Sequence, residues 1–207
     1  MRTAVAGRLQ TIRVLGILAS MEAVQDTECI SVEDYLAGER HSETRHEYLG
    51  GVVYAMAGAS REHNTISGNL FSALRSHLRG KPCQTFIADV KVRLEIGGDD
   101  IFYYPDVMVT CDRRDTDRYF SRFPKVLIEV LSPETERTDR REKLLSYIQI
   151  ETLEEYVLVA QDKMEVTVFR RANKWQPETS AMSDLHLKLA SLDFTLPLSA
   201  VYEGAKG

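Results

Sequence analysis

The 207-residue chain lacks several features that would announce a function. It has three cysteines, at positions 29, 83 and 111. That number is odd and the spacing wide, so the sequence predicts neither a disulfide framework nor a Cys-x-x-Cys metal site, and a reducing cytosol is the expected compartment. No apolar run approaches the roughly 18 residues of a membrane span. The first 20 residues hold only the short stretch "VLGILAS" beside Arg13, which reads as a disordered leader rather than a signal peptide. There is no excess of positive charge: the net charge is -5 and the pI about 5.6. A protein that gathers nucleic acid through its overall field would be basic. Glycine-rich phosphate loops (G-x-G-x-x-G, G-x-x-x-x-G-K) are missing, as are the G-x-S-x-G elbow and H-E-x-x-H. Nucleotide-cofactor enzymes and hydrolases with a serine triad lose their usual signals.

What is present suits one globular domain over residues 21–207, with 43% hydrophobic and 28% charged residues. "SVEDYLAGE" reads as a short helix capped by Ser31, with Asp34 at the capping-box position. "RHEYLGGVVYAMAG" reads as a hairpin turning on Gly50-Gly51. Ile66, Leu70, Leu74 and Leu78 recur every four residues and predict an amphipathic helix that stops at Gly80. "CQTFIADVKVRLEI" and "IFYYPDVMVTC" each read as one strand, and "KVLIEVLS" as a central strand covered on both faces. A helix from about Asp139 follows, then the strands "EYVLVAQ" and "EVTVFRR". The order predicts an α/β fold: a mixed β-sheet flanked by helices, with an N-terminal helix and β-hairpin.

Two carboxylates stand where burial should discourage charge. Asp106 follows Pro105, which cannot donate to a β-ladder and so marks an edge, a bulge or a strand start. Glu129 lies between Ile128 and Val130 and needs a partner if buried. A structural ion pair would satisfy it, and so would a divalent metal held with Asp106. Asp139, Lys143 and Tyr147 fall at i, i+4 and i+8, one helix face. That face is either an exposed intrahelical pair or a device that aims Lys143 at the Glu129 strand. Arg137, Arg140 and Arg141 alternate with acids and read as a solvated mixed-charge face.

"EYLGGVVYAMAGAS", "HNTISGNLFSAL", "YYPDVMV", "VLIEVLSPETERTDRREKLLSY" and "EYVLVA" together resemble the Uma family of restriction endonuclease-like proteins, in the PD-(D/E)XK nuclease superfamily. The resemblance covers most of residues 31–170. It implies a restriction endonuclease-like core, with Asp106 and Glu129 as ligands of Mg²⁺ or Mn²⁺. It implies an endonuclease that hydrolyses DNA phosphodiesters in the cytoplasm without a membrane. The pattern asks for lysine two residues after the acid, where this chain has Leu131; the resemblance points instead to Lys143 on the next helix. Glu47 and His63 match family segments and join Tyr147 as additional candidates, each with a plain surface or capping role as its alternative. A catalytically weak or inactive nucleic-acid-binding or regulatory module on the same scaffold is the competing expectation, and a homodimer is compatible with either.

Overall fold

The computed structural model describes residues 29–133, 135–180 and 186–205. The leader expected at 1–20 lies outside them. Ser31 caps α1 (Val32–Glu39), its hydroxyl accepting from the Asp34 N–H at 3.1 Å. Strands β1 (His46–Leu49) and β2 (Val52–Ala55) form the expected hairpin. Both turn glycines have positive φ, +54° and +99°, and a Cβ on Gly51 would stand 2.9 Å from Cys29 Cβ. Helix α2 (Arg61–His77) is capped by Ser60 and buries Ile66, Leu70 and Leu74.

The two long strands expected next are each divided. "CQTFIADVKVRLEI" becomes β3 (Gln84–Ile87) and β4 (Lys91–Ile96), broken at Ala88, where φ is +58°. "IFYYPDVMVTC" becomes β5 (Asp99–Tyr103) and β6 (Val107–Thr110), broken at Tyr104-Pro105-Asp106. At each break the chain passes from one sheet to another. The first sheet runs β2-β1-β5-β4-β7, with β7 at Phe120–Ser121. The second runs β11-β10-β9-β8-β6-β3, where β8 is Pro124–Leu131, β9 Glu155–Ala160, β10 Val166–Arg170 and β11 Pro177–Ser180. Strand β8 pairs antiparallel with β6 and parallel with β9, so the second sheet is mixed and β8 is internal to it.

Between β8 and β9 the helical segment changes character. It runs through α3 (Glu136–Thr138), a π-helical stretch (Asp139–Lys143) and α4 (Leu144–Tyr147). The chain closes with the β12–β13 hairpin (His186–Leu189, Phe194–Pro197) and α5 (Leu198–Val201).

Alternation along β8 sends its side chains to two cores. Val126, Ile128 and Val130 pack with α2 and the C-terminal hairpin. Leu127 and Leu131 point the other way, between the sheets, with Tyr103, Tyr147 and Tyr156. Glu129 shares the parity of Leu127 and Leu131, so its carboxylate enters the space between the sheets. A third cluster of Tyr35, Tyr48, Phe102 and Phe120 lies under α1.

The cysteine expectation is corrected. Cys83 and Cys111 form a disulfide, and only Cys29 is free. The register of β3 on β6 pairs Gln84 with Thr110, so the next position outward puts the two cysteines opposite each other. A separation of 28 residues gave no local sign of this. No helix among the described residues is long and apolar enough to cross a membrane.

Candidate active site

Glu129 is 3% exposed, and its side-chain partners come from the helical segment that follows β8. Tyr147 donates its hydroxyl to Oε1 at 2.9 Å, and the Lys143 ammonium donates to the same oxygen at 3.3 Å. Lys143 Nζ also lies 3.0 Å from Glu47 Oε1 on β1 and 3.2 Å from Asp139 Oδ1 one turn back. The helix face is thus turned inward rather than into solvent. Asp139 and Lys143 bound the π-helical stretch, and Tyr156 donates its hydroxyl to the Asp139 carbonyl at 2.9 Å. Single-turn π segments of this kind are frequent at functional sites.

Asp106 reaches the cluster from the sheet crossing. Val107 pairs with Ile128, so a continued ladder would bring Asp106 against Glu129. Pro105 turns the chain away instead. The Asp106 carboxylate then takes the place of a β6 backbone acceptor, receiving the Val130 N–H on Oδ2 at 2.7 Å. His63, in the first turn of α2, places Nε2 3.2 Å from the same oxygen. The expected break at Pro105 is present, and it is a change of sheet. Glu47 stands on β1, which lies between β2 and β5, and its side chain is 15% exposed, so the plain surface role offered as its alternative does not hold.

Electrostatics follow from this crowding. Burial pushes the Glu129 carboxyl well above the usual range; Lys143 pulls it down, and Asp139, Asp106 and Glu47 push it up again. For Lys143 burial favours the neutral amine, yet the three facing carboxylates overrule it and hold the ammonium well above its ordinary pKa. His63 is opposed by burial but raised by its contact with Asp106.

Six sequence candidates therefore converge: Glu129, Lys143, Tyr147 and Glu47 in one knot, and Asp106 with His63 beside it. Asp139 is the residue left off that set. Its spacing from Lys143 was visible, but nothing in the spacing said that both would be buried. Leu131, at the position where the pattern asks for lysine, is packed in the apolar core between the sheets.

The donor set suits a hard cation. Tyr147 and Lys143 both engage Glu129 Oε1, and Val130 N and His63 both engage Asp106 Oδ2, so among the described residues Glu129 Oε2 and Asp106 Oδ1 receive no donor. Buried Glu47 Oε1 and Asp139 Oδ1 have no donor in hydrogen-bonding geometry, although both lie within ion-pair distance of Lys143. Among the described residues no three His, Cys, Asp or Glu side chains form a ready metal cage. Mg²⁺ is commonly held by one or two carboxylates, with water and substrate oxygens completing its shell. Two carboxylates with open oxygens fit that habit.

A profile of the Uma2 family, described as "Putative restriction endonuclease", matches residues 32–199. The chain belongs to the Uma2 family. A Synechocystis protein, the uncharacterised slr1290, is 34% identical over 178 residues, which cover 84% of this chain and 92% of that one. A second, sll1609, is 30% identical over 144 residues, 68% of this chain and 80% of the relative. The fold is shared with a crystal structure from Anabaena variabilis titled as a "putative nuclease" of DUF820, with a TM-score of 0.65, 19% identity, and coverage of 78% of this chain and 91% of that one. The matched span of this Uma2 chain contains every residue of the knot.

Proposed function

We propose that this Uma2 protein is a Mg²⁺-dependent endonuclease that hydrolyses DNA phosphodiesters. One observation supports the reading above the rest. Lys143 Nζ reaches Glu129 Oε1 at 3.3 Å while Asp106 is bound to the backbone N–H of the very next residue, Val130. Two acids and a lysine thus meet at one strand end, although the lysine comes from a helix instead of from position 131.

In this reading Asp106 and Glu129 hold the ion. A bound Mg²⁺ supplies Lewis-acid polarisation of the phosphate and lowers the pKa of an attacking water. Lys143 works against the burial that favours the protonated Glu129, orients that carboxyl, and sets positive charge beside the pentacoordinate phosphorus as negative charge grows there. Tyr147 fixes the Glu129 carboxylate, so its free oxygen faces one way. His63 does the same for Asp106. Glu47 and Asp139 hold Lys143 in place, since an ammonium between three carboxylates cannot drift.

The test is cleavage of supercoiled plasmid and short duplexes with Mg²⁺ or Mn²⁺. Wild type should nick or cut, and Asp106→Asn, Glu129→Gln and Lys143→Met should not. Failure of the wild-type protein to cut any form of DNA with either ion would refute the nuclease reading. A specific observation favours the competing one: Lys143 is 5% exposed and engaged by three carboxylates, an arrangement that also suits a purely structural ion cluster. A module without catalysis would bind nucleic acid with an affinity insensitive to Glu129→Gln and would show no calorimetric heat with Mg²⁺.

A further inference from the structure

Tyr103 and Tyr104 face opposite ways, as neighbours in extended backbone do. Tyr103 stands beside Lys143, whose Nζ is 5.5 Å from its ring centroid. Tyr104 lines a separate cleft of about 720 Å³. Lys91 of β4 also lines that cleft and is 5% exposed. Its Nζ donates to the Tyr104 hydroxyl at 3.1 Å. That hydroxyl donates onward to Glu39 Oε2 at 2.6 Å, and Glu39 Oε1 lies 2.8 Å from His46 Nδ1. Glu39 is therefore committed elsewhere, and among the described residues no carboxylate comes within ion-pairing distance of Lys91. An ammonium has three donors, and one of them has a protein acceptor here. Burial lowers the pKa of this lysine, with the charge of Glu39 acting against it. The Lys91 amine reaches Glu39 only through the Tyr104 hydroxyl, and its remaining donors are open to an anion that enters the cleft.

The mouth of the cleft adds a second kind of chemistry. Tyr119 is 40% exposed, with the Arg40 guanidinium 4.9 Å and the Arg118 guanidinium 5.6 Å from its ring centroid. An exposed aromatic ring beside arginines is a stacking platform for a base. Four acids line the cleft: Asp89 pairs with Arg45, Asp117 Oδ1 accepts the N–H groups of Tyr119 and Phe120, Glu39 is held by Tyr104 and His46, and Glu43 is exposed to solvent. The cleft adjoins the candidate active site through the chain itself. Met56, Ala57 and Gly58 line it just before Ser60 opens the helix that carries His63, and Tyr104 lies two residues from Asp106.

We infer that this cleft binds a further phosphodiester of the same nucleic-acid strand, with the Lys91 ammonium on a phosphate oxygen and the Tyr119 ring under the adjoining base. The identity of the strand rests on the nuclease reading; the phosphate chemistry rests on Lys91.

The experiment measures anisotropy of a labelled oligonucleotide, single-stranded and duplex, against the full chain in chelator across a salt series. Lys91→Met is expected to weaken binding about tenfold, and the slope of log K against log salt should shrink by about 0.7–0.9, one phosphate contact. Lys91→Arg should restore the slope, and Tyr119→Ala should weaken binding without moving it. An unchanged slope in Lys91→Met, at an unchanged melting temperature, would overturn the inference, as would the absence of oligonucleotide binding by wild type. Tyr119→Ala and Lys91→Arg decide the matter if Lys91→Met fails to fold. Inorganic phosphate or a mononucleotide competing at the same concentration as the oligonucleotide would also overturn it, marking a free-phosphate pocket. The two readings fail separately. Cleavage with an unchanged Lys91→Met slope removes the second site alone, and a reduced slope without any cleavage removes the nuclease alone.

Discussion

Replacing Lys143 with methionine tests the knot directly. The substitution keeps most of the side-chain volume and removes one charge from among Glu129, Glu47 and Asp139, each within 3.3 Å of the ammonium. Removing one partner of a buried ion pair typically costs about 3–5 kcal/mol. An independent route gives a similar figure. The folded variant must take up about one proton to relieve the remaining carboxylates, and protonating an ordinary carboxyl of pKa about 4.3 at pH 7 costs roughly 3.7 kcal/mol. For a chain of this size that corresponds to a fall in Tm of about 6–20 °C. The pH dependence has a definite sign. Above about pH 4.3 the folded variant holds a proton that the unfolded chain has released, so its stability falls as pH rises, by up to about 1.4 kcal/mol per pH unit. The gap between wild type and Lys143→Met should therefore be small at pH 5 and large at pH 8. Thermal melts by circular dichroism at both pH values measure it. Adding Glu129→Gln should recover part of the loss, because the double variant has one fewer buried carboxyl that must hold a proton. Equal shifts at pH 5 and pH 8, or no recovery in the double variant, would refute the claim that the ammonium is held by these three acids.

Burial and its acidic neighbours raise the Glu129 pKa, so a divalent cation must displace a proton to bind there; calorimetry in two buffers of different ionisation heat should show proton release and an affinity that rises with pH, both lost in Glu129→Gln. The His63 pKa is raised by Asp106, so its contribution to stability is complete below the ordinary value of about 6.5 and lost as pH rises through the higher folded value. Melts of wild type and His63→Gln should accordingly differ more at pH 6 than at pH 9. Ser60→Ala removes the hydroxyl that caps the His63 N–H at 3.0 Å and should cost about 1 kcal/mol, read by denaturant titration. Gly51→Ala combines a φ of +99° with a Cβ 2.9 Å from Cys29 Cβ and should destabilise by more than about 1 kcal/mol, with Gly51→Asn losing less if the turn conformation dominates over the contact.

The parts of the fold written in short-range pattern were legible. A helical repeat of four leucine-like positions gave α2, paired glycines gave the β1–β2 turn, and an unbroken apolar run gave the internal strand β8. The sheet crossings were not, because an apolar run records burial without recording which sheet buries it. Ala88 shows the difficulty: positive φ in a residue other than glycine leaves no trace in composition, yet it separates β3 from β4. Pro105 did leave a trace, and the same type of crossing was half-visible there. The Cys83–Cys111 bond needed the β3–β6 register, which only the assembled sheet supplies.

Asp139 and Leu131 carry the remaining lesson together. Two residues beyond Glu129 on β8, Leu131 faces the same inter-sheet space as Glu129, so a lysine there would have to reach back along its own strand through apolar packing. A lysine from the following helix approaches Glu129 across that space instead, and Asp139 one turn earlier meets its ammonium at 3.2 Å. The exchange has a physical consequence. A strand-borne lysine is fixed by the sheet, whereas a helix-borne one is only as well placed as the contacts that hold its helix. Tyr147 on Glu129, Tyr156 on the Asp139 carbonyl and Glu47 on the ammonium are those contacts, and each comes from a different element. The Lys143 charge is thus placed by a set of tertiary contacts that no motif of fixed spacing can express.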